Sequence, residues 1–180
     1  MRCNLKKINL ILILVITACQ LFAQMPDFKK PVQEAMKNLS VIPGIWEGKG
    51  WQMDMNGEKK YSNVTEKLQW KLDSTVILLE GLGKKDDGTV VHNALAILTY
   101  DAANKKYTMN SYLSSGMSTS ANFEVIKPNE SFKWWFEDGR GGTIRYTITT
   151  DGKKWKEVGE YSRDGNQWFN FFEMNLTKEM

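Results

Sequence analysis

The stretch Pro43-Gly44-Ile45-Trp46-Glu47-Gly48-Lys49-Gly50-Trp51 decides the fold. In an extended chain, alternation puts Trp46, Gly48 and Gly50 on one face and Trp51 on the other. Glycine inside a strand marks a bulge, a barrel corner, or the close approach of another backbone or a ligand. A large indole beside two positions without side chains suits a strongly bent first strand that closes a barrel floor. Two readings follow. Either Trp46 is a plug and the glycines permit curvature, or the vacancy admits a ligand.

Downstream, the chain reads as strand, turn, strand to its end. Ten strand-like runs fall at 44–55, 59–72, 75–85, 89–100, 106–113, 117–126, 130–137, 142–150, 154–163 and 167–177. Turn chemistry separates them: Asn56-Gly57, Asp73-Ser74, Asp86-Asp87-Gly88, Pro128-Asn129, Asp151-Gly152 and Asp164-Gly165 are examples. No connection is long enough for a crossover helix, so an antiparallel up-and-down meander fits best. Ten such strands are expected to close, because an open sheet would leave two long edges unpaired. The fold class is therefore all-β: a ten-stranded antiparallel barrel with a short N-terminal helix.

Alternation supports the strands. Val64, Leu68, Trp70 and Leu72 share a face with Ser62 and Glu66. Phe132, Trp134 and Phe136 oppose Lys133, Trp135 and Glu137, and Ile144, Tyr146 and Ile148 oppose Thr143, Arg145 and Thr147. Seven tryptophans, eight phenylalanines and six tyrosines suit a core built from few large pieces.

Upstream, Val32, Ala35, Met36 and Leu39 recur at helical spacing, and Pro31 suits a first-turn position. This predicts a helix over 31–39 that caps one end of the barrel. Residues 1–23 read as a signal peptide, with Arg2, Lys6 and Lys7 ahead of an apolar run from Ile8 to Ala18. Leu21-Phe22-Ala23 suits ordinary signal peptidase, while Ile16-Thr17-Ala18-Cys19 reads as a lipobox that would place a lipid on Cys19. The expected organisation is a leader at 1–23, a tether and capping helix at 24–43, and a barrel at 44–178. The protein is then exported, as a periplasmic or extracellular protein or as an anchored lipoprotein. The run is too short to leave a comfortable transmembrane helix in the mature chain.

Loss of the leader removes three of the 24 basic residues and none of the 21 acidic ones, so the mature chain carries no formal net charge. That excludes general attraction to nucleic acid or anionic lipid. Both cysteines, Cys3 and Cys19, lie in the leader, so the barrel is expected to have no disulfide, thiol nucleophile or cysteine metal site.

Leu39 to Trp51, Leu98-Thr99-Tyr100-Asp101, Lys106-Tyr107, Ser111-Tyr112 with Gly116, and Phe172-Glu173-Met174 together resemble the DUF1579 group of bacterial envelope proteins. More distantly, the opening Gly44-x-Trp46-x-Gly48 and the barrel pattern resemble lipocalins, fatty-acid-binding proteins and nitrobindins. The resemblance covers about residues 39–178. It implies a calycin-type barrel with a small-molecule cavity, and it implies no reaction. Nitrobindins hold haem through a histidine on a late strand. The one histidine here, His92, falls on the fourth expected strand, so the likeness does not extend to that haem site.

The candidate ligand-binding residues are Trp46, Trp70, Trp134, Arg145, Tyr146, Glu157 and Glu173. The aromatics are expected to line an apolar cavity, with Arg145 and a glutamate fixing a polar end. The same aromatics are what plain core packing would use, and the carboxylates suit a strand-tying network or a solvated rim equally well. A lone histidine cannot complete a metal site without partners. Asp138-Gly139-Arg140-Gly141-Gly142 lies between two strands, so it has no helix N-terminus with which to hold phosphate. No nucleophile–histidine–acid set is present. The expected function is non-catalytic binding of a small apolar or amphiphilic molecule, with no cofactor and no metal. Two alternatives stand: an acid–base enzyme of isomerase or hydrolase type using cavity carboxylates, and an interaction module that docks through Trp135, Phe169 and Phe171 on a filled barrel.

Overall fold

Ten strands close into one barrel, each antiparallel to both neighbours, in the computed structural model, which describes residues 27–179. They are β1 (Gly44–Met53), β2 (Lys59–Lys71), β3 (Val76–Lys84), β4 (Val90–Asp101), β5 (Lys106–Leu113), β6 (Ser118–Lys127), β7 (Ser131–Glu137), β8 (Thr143–Thr150), β9 (Lys154–Ser162) and β10 (Phe169–Lys178). Each strand lies beside its predecessor, and β1 completes the ring between β2 and β10. The bounds agree with the expected runs to within two residues at every end. The leader readings, including the lipobox at Cys19, lie outside the described residues.

One expectation on β2 fails. Leu72, Asp73 and Ser74 have φ of 47°, 54° and 64°, a left-handed run that ends the alternation, so Leu72 is exposed instead of joining Leu68 and Trp70 inside. The run starts the tight turn into β3.

Helix α1 (Lys29–Met36) continues as a 3-10 turn over Lys37–Leu39. It begins two residues before the expected start, which leaves Pro31 in the first turn, where its missing N–H goes unmissed. Met36, Leu39 and Ile42 are fully buried with Trp46, Ile77 and Phe132. Each such side chain contributes about 1.5–3 kcal/mol through burial. Polar contacts fix where the helix sits. Lys29 Nζ donates to Asp73 at 2.8 Å and Gln33 Nε2 donates to the Asp73 carbonyl at 2.6 Å. Asn129 N–H donates to the Asn38 carbonyl at 2.8 Å, and Asn129 Oδ1 accepts from Ser40 Oγ and from Val41 N–H. Tyr107 Oη donates to the Ala35 carbonyl at 2.6 Å. The β2–β3 and β6–β7 turns are thus tied to one helix, which closes that end of the barrel. The other end carries the β1–β2, β3–β4, β5–β6, β7–β8 and β9–β10 turns and has no such cover among the described residues.

The glycines of the opening motif have a structural cause. A Cβ at Gly48 would stand 2.1 Å from the Asn175 carbonyl oxygen, and one at Gly50 would stand 3.1 Å from Met174 Cβ. The space beside Trp46 is therefore taken by β10, and the reading in which the glycines leave a ligand vacancy does not hold at these two positions.

Candidate functional site

Register carries the inward face around the barrel, since directly paired residues on neighbouring strands project to the same side. Trp46 pairs with Glu66, Glu66 with Gly81, and Gly81 with Ala94. Across the barrel Trp134 pairs with Tyr146, Tyr146 with Gly159, and Gly159 with Phe172. Two carboxylates, Glu66 on β2 and Glu157 on β9, project into the interior and are buried there.

The two carboxylates are held differently. Glu157 Oε1 accepts from Trp134 Nε1 at 2.9 Å, and Oε2 accepts from Trp155 Nε1 at 3.2 Å. Burial pushes its pKa up to about 7, against the pull of these two indole donors, which favour the charged form. Glu66 has no such support: among the described residues its buried Oε2 has no hydrogen-bond partner. Burial, and then the charge of Glu157, push the Glu66 pKa up to about 8. Neither acid forms an ion pair with Lys or Arg among the described residues. Lys178, at the floor, donates to the Val41 carbonyl at 2.8 Å and stands 5.0 Å from the Trp46 ring centre, and burial lowers its pKa.

Aromatic faces surround the acids. Tyr146 lies flat on Trp134, with ring centres 3.9 Å apart and planes 7° from parallel. Phe171 and Phe172 meet Tyr146 edge-on at 5.7 Å and 5.6 Å. Burial and the nearby Glu157 charge raise the Tyr146 pKa, so its hydroxyl stays protonated. A bulge between Asn170 and Phe172 lets two successive phenylalanines reach the same ring. Toward the uncapped end the inward residues Ala94, Ser111, Thr119, Phe136, Ile144, Tyr146 and Phe172 are half-buried, whereas Trp46, Ile77 and Phe132 near the cap are buried. His92 follows Ala94's parity to the rim, opposite Gly83, and partial burial lowers its pKa.

The expected site residues divide. Trp134, Tyr146 and Glu157 meet in the interior. Trp46 is in the floor, donating through Nε1 to the Ile42 carbonyl at 2.7 Å and meeting Trp155 edge-on at 5.4 Å. Trp70 packs half-buried near the capped end of β2. Arg145 does not point inward. Its neighbours Ile144 and Tyr146 take the inner face, so Arg145 is on the outer wall, donating to Glu160 at 2.7 Å and stacking 3.5 Å from the Trp168 ring centre. Glu173 is also on the outer wall, because Phe172 and Met174 face in. It accepts from Asn175 Nδ2 at 2.9 Å and faces Lys156 at 3.5 Å. Of the pair expected at a polar end, Arg145 and a glutamate, the arginine and Glu173 lie outside, while the interior carboxylates are Glu157, one of the expected residues, and Glu66, which is not among them. Glu66 had a signal in the sequence, its shared parity with Val64, Leu68 and Trp70.

The outer aromatic set expected to dock a partner does not form one face. Phe171 turns in to Tyr146, and Trp135 lies under Lys133 Nζ at 4.9 Å. Outward apolar side chains gather instead on β4 and β5, as Leu95, Ile97 and Tyr112. Two surface clefts, of about 400 and 450 Å³, flank the strands near Trp155 and near Tyr107, and neither includes Glu66 or Glu157. No helix among the described residues is long and apolar enough to cross a membrane.

These features define a lipocalin-like barrel, capped at one end and lined by aromatics around two buried acids. Two solved structures share that fold. Rv2717c from M. tuberculosis superposes with a TM-score of 0.61 at 11% identity, covering 81% of this chain and 98% of its own. The S-type phycobiliprotein lyase CPES from Guillardia theta gives 0.56 at 11% identity, covering 86% of this chain and 99% of its own. No family model matches the chain, and no curated protein matches it either.

Proposed function

We propose that this protein binds a small, mainly apolar molecule inside its barrel, entering through the uncapped end. The observation that carries this reading is the aromatic wall of Trp134, Phe136, Tyr146 and Phe172, which faces inward yet is only half-buried. A wall that served packing alone would be covered, as Trp46 and Phe132 are at the capped end. A likeness of fold to a phycobiliprotein lyase accords with a barrel that handles a small molecule. On the reading of the leader, the binding happens outside the cytoplasm, in a protein of the DUF1579 type. Native mass spectrometry of the protein purified from its own host tests this. A discrete extra mass that leaves on denaturation supports binding. An apo mass that persists after incubation with a lipid extract overturns it.

A second reading has one observation in its favour. Glu66 and Glu157 are interior acids with raised pKa values and no Lys or Arg partner among the described residues. Acids poised near neutrality are what proton transfer to and from a bound substrate requires. Turnover of the ligand that co-purifies, lost in both Glu66→Gln and Glu157→Gln, would favour this reading over plain carriage.

A further inference from the structure

We propose that the molecule taken into the barrel carries a cationic or N–H-rich nitrogen head group, an organic amine being the simplest case, and that Glu66 receives that head. The inference rests on the reading of the interior as a binding site and adds the chemistry of its occupant.

The first ground is the unmatched Glu66 Oε2. A buried carboxylate oxygen without a hydrogen bond carries an uncompensated desolvation cost, larger when it is charged. It persists without loss only if something supplies a donor. Gly81 is cut back to a hydrogen beneath it, and a Cβ there would stand 2.8 Å from Oε1 and 2.9 Å from Oε2. The backbone therefore leaves room for the carboxylate and offers it nothing.

The second ground is the charge of the lining. The inward neighbours of Glu66 on β1 and β3 are Trp46, Gly48, Ile77, Leu79 and Gly81, with no titratable group. Among the described residues, the titratable groups on the rest of the inner face are Glu157 and Tyr146 across the barrel, His92 and Tyr161 toward the rim, Tyr100 and Tyr107 toward the floor, Lys178 at the floor, and, at the rim end of β2 itself, Lys60, which is exposed and paired with Asp54 and Glu58. Glu157 already has an indole donor on each oxygen, so it is a satisfied, fixed acid. Lys178 is engaged with the Val41 carbonyl. An acidic ligand would bring a third carboxyl into this space and be repelled. An alcohol would supply one donor and no charge. An amine supplies both a donor and a positive charge.

Three probes of one size and shape separate the possibilities: naphthalen-1-ylmethylamine, naphthalen-1-ylmethanol and 1-naphthoic acid. Binding to the purified protein is read by isothermal calorimetry at neutral pH. The amine is expected to bind about tenfold more tightly than the alcohol, and the acid most weakly. Glu66→Gln, which keeps shape and removes charge, is expected to bring the amine down to the alcohol. In buffers of different ionisation enthalpy, amine binding is expected to release about one proton, because Glu66 must ionise to meet the cation. That release needs no variant, so it stands even if the substitution unfolds the barrel. Equal binding of all three probes without proton release overturns the inference and leaves the binding reading intact. No binding of any probe counts against both, and a co-purifying ligand found by native mass spectrometry would then decide between them: one without a basic or N–H nitrogen leaves only the binding reading standing.

Discussion

The carboxylate of Glu66 lies in the space that a side chain at Gly81 would need, with Oε1 2.8 Å from the position of an added Cβ. The relationship joins β2 and β3 at one inward cross-strand pair. Gly81→Ala must therefore displace the Glu66 carboxylate, the far end of its side chain, from the position it holds over the Gly81 backbone. We expect a loss of about 1–3 kcal/mol in denaturant unfolding. In the background of Glu66→Ala the same substitution should cost far less, giving a coupling above about 1 kcal/mol. Additive losses in the double variant would show that the two side chains do not share this space.

Stability should fall as pH rises through neutrality. Glu66 and Glu157 have pKa values of about 8 and about 7 in the folded chain, above the ordinary glutamate value of 4.5. The folded state holds more protons than the unfolded one between those limits, so stability declines with rising pH, and the loss is complete above about 8. His92 is shifted down and contributes the opposite slope only below its ordinary 6.5, so the interval from there to about 8.5 is the clean one. Thermal unfolding across that interval should show a falling midpoint in the wild type and a flatter one in Glu66→Gln. A midpoint that rises or stays level in the wild type would refute the assignment.

The barrel was legible because alternation and turn chemistry are local signals. Asn56-Gly57, Asp151-Gly152 and Asp164-Gly165 end strands by short-range rules, and Val64, Leu68 and Trp70 mark a face without any partner. The site was legible only where a strand had an unambiguous apolar face. On β8, Ile144, Tyr146 and Ile148 already implied that Arg145 faces out, and its chemistry obscured that parity. On β10, Phe171 and Phe172 follow one another at a bulge, so no period of two runs through Phe169–Lys178. The indole donors of Glu157 come from β7 and from β9 itself, and the first is a contact that no local pattern announces.

Asn129 should separate backbone from side-chain stabilisation of the cap. Its φ is 60°, and its Oδ1 accepts from Ser40 Oγ at 3.1 Å and from Val41 N–H at 3.3 Å. Asn129→Gly loses the acceptor and keeps an easy left-handed backbone. Asn129→Ala loses both. The alanine variant is expected to be the less stable of the two by about 1 kcal/mol, the cost of holding a Cβ in that region. Equal losses would assign the position to its side chain alone.

Arg145→Ala should leave the affinity for the amine probe unchanged, since Arg145 and Glu160 pair on the outer wall under Trp168. Its stability cost should stay within about 1 kcal/mol, as for other partly exposed ion pairs. A fall in affinity comparable to that of Glu66→Gln would mean that the outer wall reaches the ligand.

Trp134→Phe keeps an aromatic ring against Tyr146 and removes one of the two N–H donors to Glu157. Those donors oppose the upward push of burial, because each favours the ionised carboxylate. With one gone, the Glu157 pKa should climb from about 7 by about one further unit, the size of a single charge-assisted bond. Carbon-detected NMR of the glutamate carboxyls measures this directly, and Glu157→Gln assigns the resonance. Trp155→Phe should act in the same direction but more weakly, its bond being 3.2 Å against 2.9 Å. A Glu157 pKa unmoved by either change would mean that burial alone sets it, and the indoles would then be packing groups that happen to face an acid.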